Sequence, residues 1–348
     1  MADAPKKGGG GPPPLPTGWK IWVAGARPRT LPAAIVPVLV GTMAAAGVRP
    51  PWFHILAANT TGLIVRSGID LKGIIVWRAL AAMVVALAIQ IATNYANDYS
   101  DGKRGTDDPG QRVGPPRLVG WKLATPGAVK RAVLISFAVA GLAGLTLAYA
   151  VGWWLILVGL VCFAAGWFYT GGPKPYGYAG LGEVFVFVFF GLVATIGSAF
   201  VQTESFTVPA SDVALPRSVT SFPLVTTGVA IAIGCFATAL LVINNLRDIP
   251  SDTVSGKRTL AVKLGDRTTR TLYVILMVLP FIIVPVVCGL GGRPLGAASL
   301  FAIVLANQPV LQVLQGASGR DLIPVLGQTG RVQLAFGVLL SIGLFLSA

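Results

Sequence analysis

Apolar residues in this chain neither alternate with polar ones nor recur as the narrow stripe of a soluble amphipathic helix. They run in long blocks, at about 30–48, 74–98, 128–150, 153–171, 181–202, 222–246, 271–290, 295–315 and 329–347. Roughly 20 apolar residues carry a helix across about 30 Å of hydrocarbon. Lipid tolerates only helices and closed barrels, and the period-2 alternation of barrel strands is missing. The pattern predicts an all-α polytopic membrane protein of about nine transmembrane helices, with residues 21–348 forming a single transmembrane domain. The preceding stretch, MADAPKKGGGGPPPLPTG, has lysines but no apolar core, so residues 1–20 are expected to be a disordered cytoplasmic tail and not a signal peptide.

Composition agrees: 54% of the 348 residues are hydrophobic and only 11% charged, far below the quarter usual in soluble domains. With the N-terminus inside, 21 of the 27 Lys and Arg residues fall in cytoplasmic segments. That bias predicts a multi-pass protein of the cell membrane with its motif loops facing the cytoplasm, and an odd helix count would leave the C-terminus outside. The net charge of +14 is distributed between spans instead of forming one basic domain, so the partner it implies is the lipid bilayer and not nucleic acid. Cys162, Cys235 and Cys288 lie singly in apolar runs and read as packing residues. His54 is the only histidine and builds no metal site alone.

Two stretches break the apolar pattern. QIATNYANDYSDGKRGTDD, residues 90–108, ends the second run, and VINNLRDIPSDTVSGKRTLAVKLG, residues 242–265, ends the sixth. Asn94 and Asp98 are four apart, as are Asn244 and Asp248, so each pair shares a helical face, which Asp101 and Asp252 extend. A GKR triplet follows in each, at Gly102–Arg104 and Gly256–Arg258, and the two motifs lie 150 positions apart. This suggests a weak internal repeat in parallel orientation. Carboxylates beside hydrocarbon need water or a cation. Two such clusters, each with basic residues, suit a diphosphate bridged by Mg²⁺, which takes one or two carboxylates plus phosphate oxygens while Lys103, Arg104, Lys257 and Arg258 neutralise the remaining charge. The bland alternative is that the acids are solvated helix ends and the cations topology markers. A cation-coupled transporter is the main rival class, but its acids should lie at mid-membrane, not at helix ends. A CDP-alcohol phosphotransferase needs a D-G-x-x-A-R continuation that Asp101-Gly102-Lys103-Arg104 does not supply.

RPRTLPAAIVPVLVGT (27–42), NYANDYSDGKRGTDD (94–108), YTGGPKPYGYAGLGEVFVFVFFG (169–191) and NNLRDIPSDTVSGKRTLAVKLGD (244–266) resemble, in order, segments of the UbiA superfamily of intramembrane prenyltransferases, and most closely the branch that prenylates 1,4-dihydroxy-2-naphthoate. Two features depart from that branch, a longer connection at 50–73 and an extended N-terminus, and neither touches the motifs. The resemblance implies a UbiA-like helical bundle that moves a polyprenyl group from polyprenyl diphosphate to 1,4-dihydroxy-2-naphthoate, with loss of carbon dioxide and with Mg²⁺ as cofactor. Hydroxybenzoate or homogentisate are alternative acceptors. It further implies that Asp98, Asp101, Asp248 and Asp252 hold the metal with Asn94 and Asn244 assisting, that Asp107 or Asp108 completes the first cluster, and that Tyr169 and Lys174 approach the diphosphate. Arg27, Arg29 or Arg117 could receive the acceptor's carboxylate, though each also serves as a topology marker. Glu183, opening the next apolar run, is either a helix-start charge or a pocket residue.

Overall fold

The computed structural model describes residues 15–48, 71–106, 116–205 and 221–348. The first fourteen residues of the expected tail, His54, most of the 50–73 connection, and Asp107 and Asp108 lie outside the described residues.

Among the described residues the regular structure is helical, with turns and irregular connections between the helices. A short helix α1 (Lys20–Ala26) leads into α2 (Pro32–Ala44), then α3 (Val76–Arg104), α4 (Pro126–Val151), α5 (Leu155–Phe168), α6 (Gly182–Thr203), α7 (Phe222–Val254), α8 (Leu260–Leu290), α9 (Pro294–Leu314) and α10 (Leu322–Leu346). Seven are long and apolar enough to cross a membrane, the last of them counted from Gly319; α2 and α5 are shorter apolar helices at the places of the first and fourth apolar runs. Among the described residues, seven spans and two shorter apolar helices are thus compatible with the nine transmembrane helices expected.

Local chemistry sets the ends. Thr125 caps α4 by accepting from Ala128 N at 3.3 Å, and Pro126 needs no donor at the first position. Thr259 caps α8 in the same way through Val262 N. Gly105 adopts φ 72° and closes α3, whose last turn places Lys103 and Arg104 at the negative end of the helix dipole. The second motif is built differently: α7 stops at Val254, and Gly256, with φ 75°, starts the turn beyond it. The first GKR is therefore helical and the second lies in a loop. The repeat holds for the Asn and Asp positions on α3 and α7 but not for the triplets, because different glycines take the left-handed turn.

The most enclosed helix is α7, packed by α2, α6, α8 and α10. Phe236 of α7, Phe281 of α8 and Phe336 of α10 meet edge-to-face with centroids 5.0–5.9 Å apart. Gly191 of α6 meets Gly234 of α7 so closely that a Cβ on Gly191 would lie 2.5 Å from the Gly234 Cα. That contact falls within a π-helical stretch of α6, Phe187–Val193, which turns Phe189, Phe190 and Val193 toward a cavity. A second group, α3 with α4 and α5, stands across that cavity, and α2 and α6 span the two groups. At the end remote from the motifs, Arg78 of α3 pairs with Glu204 at 2.7 Å and donates to the Val201 carbonyl of α6 at 2.8 Å, joining the groups there.

Candidate active site

The cavity measures about 890 Å³, within the range of sites that enclose a small organic ligand. Most of its wall is apolar or small: Ala82, Val85 and Ala86 from α3, Gly141 and Gly144 from α4, Gly159 and Phe163 from α5, and Phe189 and Phe190 from α6. An aromatic ladder continues this wall toward the motifs. Tyr176 stacks on Phe185 at 3.9 Å, Phe185 on Phe189 at 5.9 Å, and Tyr169 meets Tyr176 edge-on at 5.5 Å.

The other end is polar and charged. It gathers Asn94 and Asp101 from α3, Asn244, Asp248 and Asp252 from α7, and Lys257 from the turn after α7. The N-x-x-x-D faces of the two helices thus converge, although their sequences are 150 positions apart. Asp101 Oδ2 accepts from Lys257 Nζ at 3.1 Å, and Oδ1 accepts from the Tyr178 hydroxyl at 2.5 Å. Arg247 holds Asp248 through two N–H groups, both at 2.7 Å, and reaches Asn244 Oδ1 at 2.8 Å. Arg27, Arg29 and Arg117 also line this end. Burial, and then the Asp101 charge, raise the Tyr178 pKa above its ordinary value, so its hydroxyl remains a proton donor.

Asp98 stands apart from the other acids. It is only 1% exposed, is absent from the cavity wall, and accepts from Arg27, from Arg117 Nη1 at 2.9 Å and from the Leu118 N–H at 3.2 Å. Instead of facing the cavity with Asp101, it stands behind two arginines that do. Among the described residues, five cations and three acids line the polar end, and with Asp98 behind them the cations outnumber these acids by one.

The other expected residues divide. Asn94 is fixed by donating to the Ala26 carbonyl at 2.9 Å, and Tyr169 lines the wall. Lys174 is exposed and absent from the wall; Gly172, with φ 76°, turns the loop just before it. Lys103 and Arg258 are exposed and also off the wall, while Arg104 binds the Thr170 and Gly172 carbonyls and so anchors loop 169–181. Glu183 is buried and accepts from Asn245 Nδ2 at 2.9 Å. Arg247, Tyr178 and Asn245 were not singled out by the sequence, although Arg247 and Asn245 sit inside the second motif.

Among the described residues, no three His, Cys, Asp or Glu side chains converge as a ready-made chelate. The donor set still fits a hard cation: Asp101, Asp248 and Asp252 offer carboxylate oxygens and Asn94 and Asn244 neutral ones, all at one end of one cavity. Mg²⁺ needs only one or two such carboxylates when phosphate oxygens complete its shell.

A bundle of membrane helices enclosing a long apolar cavity, with oxygen ligands and cations gathered at one end, defines an intramembrane protein built for an amphiphilic anion. The profile of the UbiA prenyltransferase family matches residues 34–322, and the chain belongs to that family. It is 45% identical over 317 residues to the 1,4-dihydroxy-2-naphthoate octaprenyltransferase of Mycobacterium tuberculosis, covering 91% of this chain and 94% of that one. Its fold is similar to that of a UbiA homologue from Aeropyrum pernix, with a TM-score of 0.59 at 15% identity over 90% of this chain and 97% of the other. A UbiA homologue from Archaeoglobus fulgidus, solved with DMAPP and Mg²⁺, matches with a TM-score of 0.53 at 13% identity over 92% and 99% of the two chains.

Proposed function

We propose that this protein transfers a polyprenyl group from polyprenyl diphosphate to 1,4-dihydroxy-2-naphthoate, releasing diphosphate and carbon dioxide and leaving a demethylmenaquinol. The observation that carries this reading is one cavity that joins an apolar wall to a polar end of carboxylates, asparagines and cations. An isoprenoid diphosphate has the same two-part character. The identity with the M. tuberculosis enzyme over nearly the whole of both chains supports the naphthoate as acceptor.

In this reading Asp101, Asp248 and Asp252, with Asn94 and Asn244, would hold Mg²⁺, and Lys257 and Arg247 would take up phosphate charge. Bound there, Mg²⁺ supplies Lewis-acid stabilisation of the departing diphosphate. The C–O bond of the donor breaks with both electrons leaving on oxygen. Tyr169, Tyr176 and Phe185 line the wall beside the polar end, where the allylic cation would form, and keep water from it. The electron-rich ring captures the cation at its carboxylate-bearing carbon, and the electrons of the broken C–CO₂ bond restore aromaticity, so that carbon needs no strong general base. Arg27 and Arg117, fixed from behind by Asp98, are placed to receive the acceptor's carboxylate. The bias of the basic residues supports a cell-membrane protein whose polar cavity end faces the cytoplasm, and residues 21–348 act as one domain.

The test is purified protein in lipid nanodiscs with Mg²⁺, a polyprenyl diphosphate and a panel of aromatic acids. Prenylated, decarboxylated product from the naphthoate alone is expected. Turnover of hydroxybenzoate with the naphthoate ignored, or a product retaining its carboxylate, would refute the acceptor assignment.

A further inference from the structure

We infer that Tyr178 is the positioning residue that sets the two motifs against each other, holding the Asp101 carboxylate and the Lys257 ammonium in the arrangement that receives an ion-bridged diphosphate. The inference rests on the reading of the polar end given above. Tyr178 belongs to neither motif: it reaches the cavity from loop 169–181. Its hydroxyl donates to Asp101 Oδ1 at 2.5 Å, and Lys257 Nζ, from the far half of the chain, takes Oδ2 at 3.1 Å. The same ammonium lies 4.8 Å from the centroid of the Tyr178 ring, and the Arg104 guanidinium lies 5.3 Å from it. The main chain around the ring is also tied to both sides. Arg258 N–H donates to the Tyr178 carbonyl at 3.0 Å, Lys263 Nζ donates to the Ala179 carbonyl at 2.6 Å, and Arg104 binds the carbonyls of Thr170 and Gly172.

Each contact has a use in an ion-and-diphosphate site. A carboxylate that ligates through one oxygen is oriented by a donor on the other, and the Tyr178 hydroxyl supplies that donor to Oδ1. Oδ2 faces a positive charge already, so an ion arriving with diphosphate finds a carboxylate turned toward cations. Contact with a ring face consumes none of the three N–H groups of an ammonium, so Tyr178 holds Lys257 at the cavity while leaving its hydrogen-bonding geometry to the carboxylate and to phosphate. A Lys257 without that ring would extend toward water, as long cationic side chains do.

The experiment uses the full chain in nanodiscs as wild type, Tyr178→Phe and Tyr178→Leu. Calorimetry measures binding of a geranyl thiolodiphosphate, which does not ionise readily, across a Mg²⁺ series; the naphthoate KM and the melting temperature are measured beside it. Tyr178→Phe keeps the ring and loses the hydroxyl, and is expected to raise the Mg²⁺ needed for half-saturation by about 10–100-fold with the naphthoate KM unchanged. Tyr178→Leu also loses the ring, and is expected to weaken analogue binding further even at saturating Mg²⁺. A wild-type Mg²⁺ response in Tyr178→Phe overturns the inference while the reading of the polar end stands. Equal losses in naphthoate KM and melting temperature in both variants mark a merely structural tyrosine and also overturn it. Failure of the wild type to bind the analogue in Mg²⁺ removes the reading itself, and the inference with it.

Discussion

Asp98→Asn separates two roles that predict similar losses of activity for different reasons. In the structure the carboxylate is 1% exposed and accepts from Arg27 and Arg117 through Oδ1 and from the Leu118 N–H through Oδ2. An amide keeps one acceptor oxygen and turns an NH₂ group toward the remaining donors, so either the guanidinium groups or the main-chain N–H meets another donor. The charge also goes, leaving two largely buried guanidinium groups without it. Removing one partner from a buried ion pair costs about 3–5 kcal/mol. Against a total stability of roughly 5–15 kcal/mol, the variant should fold but melt well below the wild type. Thermal unfolding in nanodiscs, read by near-ultraviolet circular dichroism, tests that part. The second measurement is a Mg²⁺ titration of residual turnover, which should give the wild-type midpoint because Asp98 does not face the cavity. A variant with wild-type melting and a Mg²⁺ midpoint shifted tenfold or more would refute this reasoning and return Asp98 to the metal site.

Asp248→Asn and Asp252→Asn, in contrast, should raise the Mg²⁺ midpoint and lower turnover by several orders of magnitude, and chelation should abolish wild-type activity until Mg²⁺ is restored; full turnover in chelator would sink the metal-assisted reading. Gly191→Ala puts a Cβ 2.5 Å from the Gly234 Cα and should lower stability by about 1–3 kcal/mol, detected as a lower melting temperature; unchanged melting would show that α6 and α7 separate freely. Tyr149 and Val254 are exposed at opposite ends of the bundle. In intact cells an impermeant maleimide should label Tyr149→Cys and miss Val254→Cys, and the reverse pattern would invert the orientation.

The helices were legible because uninterrupted apolar runs of about twenty residues have few other uses. The Asn and Asp motifs were legible because spacings of three and four share a helical face. That spacing did not reveal which part of the face meets the cavity. At about 100° per residue, Asp98 and Asp101 sit roughly 60° apart around α3, enough for one to turn toward Arg117 and the other toward Tyr178. Lys174 followed the family pattern in sequence, yet the left-handed turn at Gly172 precedes a side chain that stands in the open. Tyr178 could not be found from spacing, since its partners lie 77 and 79 positions away and only the fold brings them together.

The partners of Asp98 have a consequence for how the chain is made. Arg27 precedes α3 and Arg117 follows it closely, so the buried Asp98 meets its counter-charges within about the first third of the chain. Once residue 117 has left the ribosome, α3 can settle in the bilayer with that charge compensated, before the second motif exists. Asp101 has no such local arrangement with Lys257, which is synthesised 156 residues later. The helices can therefore be inserted in order at low electrostatic cost, while the ligand-binding end is assembled only when α7 and the turn beyond it arrive. A chain truncated before residue 222 would carry an inserted α3 with Asp98 already compensated by Arg27 and Arg117, and an unfinished site.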